Sequence, residues 1–254
     1  MRLVSYNILD GGVGRADPLA EVIEAQKPDV VVLVEADDAA VVDRIASRLK
    51  MESVLAEGRR HGGAILSRWP IAESINFSLL REEFTDCLLE ATILDPAGQA
   101  WPISAVHLHP RASQKAEDRR MREIEAILEI YARMRETRRP HLLAGDFNAN
   151  SPVQRIVPEN CKPRTREEFA ANGGMLPRQC ISKLLEAGYV DTLQSVAGQA
   201  AGEIFSFTTQ FPGQRLDYIF AFGIESHRIK EATIEQDRLA RYASDHYPAV
   251  AVIN

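Results

Sequence analysis

The amino-acid sequence predicts an α/β fold in which two β-sheets pack together and helices lie on the outside. Both halves of the chain contain short apolar runs alternating with segments whose apolar residues follow a helical spacing. Val30 to Val34 is a continuous apolar run rich in β-branched residues, which is typical of a strand covered on both faces. No repeat, low-complexity tract or linker separates the halves, so one domain spanning residues 1–254 is expected.

The order of these elements follows from the same patterns. A first strand is predicted over residues 2–8, followed by a helix from Ala16 to Gln26 with Pro18 near its start. A second helix is predicted over residues 37–50, and the longest helix runs from Ala112 to Thr137, with apolar residues recurring on one side. The remaining predicted strands are Ala64 to Leu66, Cys87 to Leu94, Trp101 to Leu108, His141 to Ala144, Leu216 to Phe222 and Ala249 to Ile253.

One segment is less regular. Residues 150–178 are rich in Pro, Asn and Gly and are predicted to form a long surface excursion. A short helix is predicted after it, from Ile181 to Ala187, and Gly188 closes that helix.

The charge balance restricts the classes of partner. The formal net charge is −6, whereas a domain that binds nucleic acid through its overall charge is usually basic. Binding to nucleic acid would therefore need a local basic patch, while an acidic total fits a site of carboxylates that awaits a cation. No apolar run reaches transmembrane length, so no membrane partner is expected.

Cysteine usage and the N-terminus bear on the compartment. The three cysteines, Cys87, Cys161 and Cys180, fit no zinc motif, and an odd number makes a poor disulfide framework. Reduced thiols are therefore expected. Because the N-terminal stretch also lacks the features of a signal peptide, we expect a cytoplasmic protein. None of these features indicates an oligomeric state.

Polar residues with catalytic potential cluster at the ends of predicted strands, which are rigid places to hold a site. Four of them are carboxylates and none is a cysteine, so the set favours a hard cation, Mg²⁺ or Mn²⁺, over zinc. One or two such ions would fit. The residues are Asn7, Glu35, His107, Asp146, Asn148, Asp217, Asp245 and His246.

These side chains suit the hydrolysis of a phosphate ester. A cation offsets the charge that develops on the phosphoryl oxygens, and a carboxylate can orient and deprotonate the attacking water. A histidine can contact the phosphoryl oxygen or carry a proton, since its pKa lies near neutrality. Each residue alone has a plainer explanation, because an Asp after a strand is more often a turn residue or a helix cap.

Seven sequence blocks, in order over nearly the whole chain, resemble the endonuclease/exonuclease/phosphatase superfamily of DNase I-like enzymes. The resemblance implies a metal-dependent phosphoesterase with a four-layer α/β sandwich fold, in which two mainly antiparallel sheets lie face to face with helices outside. The blocks are Ser5 to Ile8, Pro28 to Glu35, Gly63 to Arg68, Ala105 to Leu108, Gly145 to Ala149, Arg215 to Ile219 and Ser244 to Pro248.

The resemblance also implies roles for individual residues. Glu35 would be the principal metal ligand, and Asn7 would lie beside it as a further ligand near the phosphate. Asp146 would orient or activate the water, and Asn148 would contact the substrate beside it. Asp86 lies where some members place an acidic residue that orients an active-site histidine, although a solvated Asp at a strand start is the plainer explanation.

The remaining implied roles concern the histidines and their partners. Asp245 would hold a second metal or orient its neighbour His246, which would act on the phosphoryl oxygen or carry a proton. Asp217 would pair with a histidine, most simply His246. His107 would be the other active-site histidine and a substrate contact, and His109 would share its strand face if that strand continues.

Departures from the family pattern favour its general phosphodiesterase and phosphatase branches. Abasic-site endonucleases usually continue from the first Asn with an Asn-Gly-Leu-Arg-like stretch, whereas Asn7 is followed by Ile-Leu-Asp-Gly-Gly. Their Gly-Asp-Asn block is usually followed by Val-Ala, whereas Asn148 is followed by Ala-Asn-Ser-Pro. Inositol-polyphosphate phosphatases carry a Trp-Cys-Asp-Arg-like block where residues 216–219 read Leu-Asp-Tyr-Ile.

Three basic features bear on the substrate. Residues 111–139 hold nine Lys or Arg against six Asp or Glu, and the excursion holds Lys162, Arg164 and Arg166. Either group could follow a phosphate backbone, or form a solvated helix face with ion pairs and a polar loop. The loop of residues 58–63 is rich in Gly and Arg and could touch a substrate phosphate.

The sequence leaves three functions open. The first is a phosphodiesterase or nuclease, the second a phosphomonoesterase or small-molecule phosphodiesterase using the same site. The third is a catalytically inactive relative that only binds a partner, and it is disfavoured because every expected polar position is filled.

Overall fold

Twelve β-strands form two six-stranded sheets in the protein, whose computed structural model describes residues 1–254. The strands are β1 (Arg2–Asn7), β2 (Val30–Val34), β3 (Glu52–Ala56), β4 (Gly63–Ser67), β5 (Ile71–Asn76), β6 (Cys87–Leu94), β7 (Ala100–His107), β8 (His141–Asp146), β9 (Val190–Asp191), β10 (Asp217–Phe222), β11 (Ile229–Ile234) and β12 (Ala249–Ile253). The first sheet has the order β11-β12-β1-β2-β4-β3, and the second has the order β5-β6-β7-β8-β10-β9. Only β1 with β2 and β7 with β8 pair in parallel, so both sheets are mainly antiparallel, as predicted.

Eight α-helices connect these strands. They are α1 (Ala16–Ala25), α2 (Ala39–Leu49), α3 (Gln114–Ile130), α4 (Ala132–Glu136), α5 (Pro163–Ala171), α6 (Gln179–Glu186), α7 (Thr192–Ala197) and α8 (Ala240–Ala243). Asp38 begins α2, because its carboxylate accepts hydrogen bonds from the N–H groups of Ala40 and Val41. A helix with the length and apolar character needed to cross a membrane is absent.

Two clusters of apolar side chains hold the layers together. The larger cluster joins the two sheets to each other and to α1 and α2, with Leu3 from one sheet and Ile103 from the other among its members. The smaller cluster packs α3 and α6 on the outer face of the second sheet, through Ile124 and Ile181. The layers therefore run helices, sheet, sheet, helices, which confirms the predicted four-layer α/β sandwich.

The four strands that the sequence did not predict are the edge strands of the two sheets, β3 and β11 in the first and β5 and β9 in the second. An edge strand pairs on one side only, so it needs no continuous apolar run. In β5, for example, the inner four residues are all exposed.

The long helix predicted from Ala112 to Thr137 is divided in two at Tyr131, whose backbone leaves the helical region. The Tyr131 ring is buried, and its hydroxyl lies 2.6 Å from Ser104 Oγ on β7, which anchors the chain at the break. The predicted excursion of residues 150–178 also has structure of its own, since it contains α5 and a short 3₁₀ turn at Pro158–Asn160.

Strand direction brings the predicted polar residues to one edge of the sandwich. The parallel strands β1 and β2 end there, as do β7 and β8, while the antiparallel β10 begins there. Gly145 allows β8 to approach β7 closely near this edge. A Cβ on Gly145 would lie 1.8 Å from the Val106 carbonyl oxygen, and its φ of +151° also favours glycine.

His141, at the start of β8, makes the stability of the fold depend on pH. It is fully buried, with its ring nitrogens 2.9 Å from the Arg139 carbonyl oxygen and 2.7 Å from the Tyr189 hydroxyl. Burial lowers the pKa of His141 from 6.5 to about 4. The unfolded chain therefore takes up a proton first as the pH falls, so stability is complete above about pH 6.5 and declines toward pH 4.

We expect this linkage to remove about 3 kcal/mol from the free energy of unfolding between about pH 6.5 and pH 4. Urea unfolding at several pH values should show a shallower acid decline in His141→Gln than in the wild type. His227→Gln is the matched control, because His227 is exposed. An identical pH slope in His141→Gln and wild type would contradict this assignment.

Candidate active site

Glu35 and Asp146 line the floor of a pocket at the edge where strands of both sheets end, and the buried Asn7 lies directly behind them. The Nδ2 group of Asn7 donates to Glu35 Oε1 at 3.0 Å and to Asp146 Oδ2 at 3.1 Å. One amide thus links a carboxylate that follows the first sheet to a carboxylate of the second. Asn7 Oδ1 accepts the N–H of Leu9 at 3.0 Å, so the whole Asn7 amide is held in place and in turn positions these two carboxylates.

His246 and Asp217 form a buried pair beside this floor. His246 Nδ1 lies 2.8 Å from Asp217 Oδ2, and His246 Nε2 lies 3.7 Å from Asp146 Oδ2. Burial alone would lower the pKa of His246, but the charges of Asp217 and Asp146 raise it to about 10. The ring is therefore held as an imidazolium that faces Asp146.

Asp146 combines burial with a defined orientation. Its Oδ1 accepts the N–H of Asn148 at 2.8 Å, and burial raises the pKa of Asp146 to about 7. A carboxyl with a pKa near neutrality can take up and release a proton in the working pH range. Asn148 lines the pocket and donates one side-chain hydrogen to the Leu108 carbonyl oxygen at 2.9 Å.

His107 is the one active-site histidine whose ring makes no hydrogen bond. It is 3% exposed, its Nδ1 has no partner, and its Nε2 lies 4.0 Å from Glu35 Oε1 and 3.8 Å from Asp146 Oδ2. Burial lowers the pKa of His107 to about 3. A neutral imidazole thus points into the gap between the two carboxylates.

Asp245 faces the other side of the pocket and is paired with a cation from the excursion. Its Oδ2 lies 3.1 Å from the Lys162 ammonium, and its Oδ1 lies 3.9 Å from His246 Nε2. Lys162 also lies 4.6 Å above the centre of the Phe207 ring. The Lys162 ammonium therefore already places a positive charge beside Asp245, the residue that the resemblance suggested could hold a second metal or orient His246.

Backbone conformations that non-glycine residues seldom adopt are concentrated at this site. The φ angles of Asp10, Glu35 and Asn148 are +46°, +55° and +50°. Such conformations cost of order 1–3 kcal/mol each and persist where the surroundings hold them. The hydrogen bond from the Asp10 N–H to Glu35 Oε2, at 2.9 Å, helps to hold these two residues in their conformations.

The pocket has a volume of about 630 Å³ and an acidic floor beneath a cationic rim. The rim cations come from three separate segments, namely the loop of residues 58–63, the loop after β7, and the excursion. Arg111 belongs to the basic stretch of residues 111–139 that the sequence singled out, whereas Phe207 was not identified, since a single aromatic residue in a loop carries no pattern. The rim residues are Arg60, Arg111, Lys162 and Arg164.

Arg120 shows that the basic character of α3 is partly structural. It is 1% exposed and binds Glu117 at 2.7 Å. Its Nη1 donates to the carbonyl oxygens of His109 and Arg111 at 2.8 and 2.7 Å. Arg120 therefore fixes the rim loop that carries Arg111.

Two residues singled out from the sequence lie differently from expectation. Strand β7 ends at His107, so His109 does not share its strand face; the His109 N–H donates to Glu123, and its side chain does not line the pocket. Asp86 is fully buried, but neither of its oxygens accepts a hydrogen bond, so the implied bond to His107 is not formed. The Asp86 carboxylate instead lies 3.7 Å from Arg60 Nε.

The donor set at the floor fits a divalent cation. Glu35 and Asp10 present carboxylate oxygens to the pocket, and oxygen is the ligand that Mg²⁺ and Mn²⁺ favour. His107 turns its Nε2 toward the Glu35 and Asp146 carboxylates without forming a hydrogen bond, and a buried ring of this kind is one that a bound group or water satisfies.

Residues 4–246 match the family model described as the endonuclease/exonuclease/phosphatase family. The chain belongs to this family. This membership confirms the predicted class, a metal-dependent phosphoesterase. No curated protein sequence matches this family member.

Solved structures share its fold over the full length of the chain. An AP endonuclease from Archaeoglobus fulgidus has a TM-score of 0.70 at 21% identity, with 100% of this chain and 99% of that chain covered. A 3'-5' exonuclease from Neisseria meningitidis has a TM-score of 0.72 at 18% identity, with both chains covered completely. An endonuclease/exonuclease/phosphatase from Beutenbergia cavernae has a TM-score of 0.70 at 21% identity, with 100% of this chain and 72% of that chain covered. At these identities the likeness shows the fold alone.

Proposed function

We propose that this family member is a phosphodiesterase whose substrate carries a further phosphate near the scissile one, as the end of a nucleic acid strand does. The observation that carries the proposal is the division of charge in the pocket. A floor of carboxylates and histidines lies under a rim of cations in a protein whose net charge is −6. The floor suits the reacting phosphoryl group with its metal, and the rim suits a second anion.

The floor residues divide the chemistry between them. Glu35 would hold Mg²⁺ or Mn²⁺ with Asp10 beside it, and the bound ion would offset the charge that grows on the phosphoryl oxygens. Asn7 keeps the Glu35 and Asp146 carboxylates apart at fixed distances. His107, neutral and unpartnered, is placed to contact a phosphoryl oxygen.

Proton transfer is assigned to Asp146 and His246. Burial raises the pKa of Asp146 to about 7, so this carboxylate can accept the proton of the attacking water near neutral pH. The raised pKa of His246 keeps a proton on the ring, which can stabilise a phosphoryl oxygen or protonate the leaving group. Asp217 holds the ring in the required orientation through Nδ1.

The rim supplies contacts beyond the scissile group. The first residues of α5, Pro163, Arg164 and Thr165, line the pocket, and a helix N-terminus with an adjacent cation favours a phosphate. Phe207 lines the same side and offers an aromatic face on which a base could stack. Among proteins with the same fold, the neisserial enzyme was solved as a 3' phosphatase with a product DNA hairpin, which supports a nucleic acid end as substrate.

A phosphomonoesterase is the second candidate. The neisserial enzyme with the same fold was solved as a 3' phosphatase, which acts on a monoester, and the excursion suits a small ester as well as a strand end. Lys162 binds Asp245 across the pocket, so the excursion covers part of the space above the floor. A covered pocket accepts a small ester or a strand end more readily than the middle of a duplex.

A substrate panel with Mg²⁺ and Mn²⁺ tests the proposal. Single-stranded and duplex oligonucleotides with 3'-hydroxyl or 3'-phosphate ends are compared with nucleotide monoesters and a generic phosphodiester. Preferred cleavage of phosphodiester bonds at oligonucleotide ends, weakening steeply with salt, supports the proposal. Removal of a terminal 3'-phosphate alone is monoester hydrolysis and counts toward the second candidate. Preference for a monoester rejects it in favour of the second candidate, and a null result on the whole panel favours an inactive relative. Activity that persists in excess chelator would contradict metal dependence.

Arg164→Ala should weaken the apparent affinity for an oligonucleotide about tenfold, because it removes one phosphate contact at the rim. Its effect on a generic phosphodiester that lacks a second phosphate should be small. Arg166→Ala is the matched control, since Arg166 lies on the same helix, is exposed and does not line the pocket. Equal losses in the two variants would show that only the overall charge of α5 matters.

A further inference from the structure

Asp10, Glu35 and His61 place their ligand atoms within 4.8 Å of one another at one side of the pocket. We propose that these three residues hold a divalent transition ion, Mn²⁺ in preference to Mg²⁺, with the His61 imidazole as a direct nitrogen ligand. The inference deepens the proposed function, since it concerns the metal of the same site. From its sequence, the loop that carries His61 suggested only a contact to substrate phosphate.

His61 is oriented for ligation by a second carboxylate. Its Nδ1 lies 2.8 Å from Asp37 Oδ2, while Asp37 Oδ1 accepts the N–H of Gly62. Nδ1 is thereby occupied, so Nε2 is the ring nitrogen left free to bind a cation. A histidine whose second nitrogen is held by a carboxylate is the usual arrangement of a histidine that binds a metal.

Hydrogen bonds also hold the Glu35 carboxylate in place, but its oxygens keep lone pairs that can bind a cation. Glu35 Oε1 accepts one hydrogen bond from Asn7, and Oε2 accepts one from the Asp10 N–H. Each oxygen keeps further lone pairs for a cation. Ligand atoms around an ion at a distance of about 2.1 Å lie about 3 to 4 Å apart. The separation in this cluster therefore needs only a small inward movement of the exposed Asp10 and the partly buried Glu35 and His61 side chains.

A buried group outside the cluster points to the same place. His107 makes no side-chain hydrogen bond although it is 97% buried, and its Nε2 is directed at Glu35 Oε1 from 4.0 Å. The rings of His61 and His107 have centroids 5.9 Å apart, so both imidazoles border the space beside Glu35. His107 Nε2, which makes no hydrogen bond within the protein, would gain a partner in a water held by a cation bound to Glu35.

The nitrogen ligand determines which ion is favoured. Mg²⁺ demands oxygen ligands and keeps several of its waters. Imidazole instead suits transition ions, which bind nitrogen more strongly. A cluster of two carboxylates and one imidazole should therefore select Mn²⁺ over Mg²⁺.

Pulsed EPR of Mn²⁺ bound to the intact protein tests the assignment directly. In the wild type we expect a nitrogen coupling from a coordinated imidazole, which changes when histidine is labelled with ¹⁵N. The coupling should be lost in His61→Ala and retained in His107→Ala. Retention of the coupling in His61→Ala, or its loss only in His107→Ala, would overturn the proposal.

Titration calorimetry gives the matching affinities. His61→Ala should weaken Mn²⁺ binding by about 10–100-fold, and Mg²⁺ binding by less than about threefold. His227→Ala is the control, because His227 is exposed and far from the pocket lining. Asp37→Asn keeps His61 but weakens its restraint, so it should give an intermediate Mn²⁺ affinity even if His61→Ala folds poorly. Unchanged Mn²⁺ affinity in both variants would reject the site.

These measurements separate the two proposals. Absence of the nitrogen coupling with normal cleavage of oligonucleotide ends would reject the imidazole ligand and leave the phosphodiesterase assignment standing. A normal nitrogen coupling with no cleavage of any oligonucleotide would support the imidazole ligand and reject the phosphodiesterase assignment.

Discussion

Asp146→Asn is expected to lower the turnover of a phosphodiester by about 1,000-fold while leaving the fold intact. The amide can still accept the N–H of Asn148, but it cannot take a proton from water. Asp146 is buried between His246 and Asn7, and the substitution removes the carboxylate assigned as general base without changing the size of the side chain. The loss should therefore appear in kcat more than in KM.

Steady-state kinetics with Mn²⁺, together with urea unfolding, would measure both quantities. Asp43→Asn is the matched control, since Asp43 lies exposed on α2 and should retain wild-type turnover. A loss of tenfold or less in Asp146→Asn would move the role of general base to another group.

Asp217→Asn is expected to lower kcat about 100-fold. Asp217 bonds His246 Nδ1 and is the leading positive influence on the pKa of that ring. Without its charge the raised pKa of His246 falls, so the protonated ring is lost at lower pH. Activity that depends on an imidazolium should then decline at a lower pH than in the wild type.

The pH–rate profile distinguishes this role from a purely structural one. The His246 pKa of about 10 predicts an alkaline limb of kcat near pH 10 for the wild type, and we expect this limb to move toward neutrality in Asp217→Asn. A lower kcat with an unmoved alkaline limb would mean that Asp217 only packs against the ring. Asp43→Asn again gives the control profile.

The centre of each sheet could be predicted from the sequence because central strands are buried on both faces. Val30 to Val34 is fully buried, and its unbroken apolar run indicated that burial. The four unpredicted strands lie at sheet edges, where one face or both meet water and almost any polar sequence is tolerated. Tertiary pairing with a neighbouring strand, which leaves no local pattern, decides their structure.

At the site, too, the residues of central strands could be predicted and those held only by tertiary contacts could not. Residues at the ends of central strands, such as Glu35, Asp146 and Asp217, were predicted because strand direction brings them to one edge. Arg111 and Phe207 lie in loops whose return to the pocket depends on contacts between distant segments. The carbonyl of Arg111, for instance, is held by Arg120 of α3.

Asn7 gives the site a property that neither sheet has alone. Its amide bonds one carboxylate from each half of the sandwich, Glu35 beside β2 and Asp146 at the end of β8. A folding intermediate with a single completed sheet would lack this bridge and the opposing wall of the pocket. Recovery of enzyme activity during refolding should therefore follow the docking of the two sheets, whereas circular dichroism would follow the formation of each sheet.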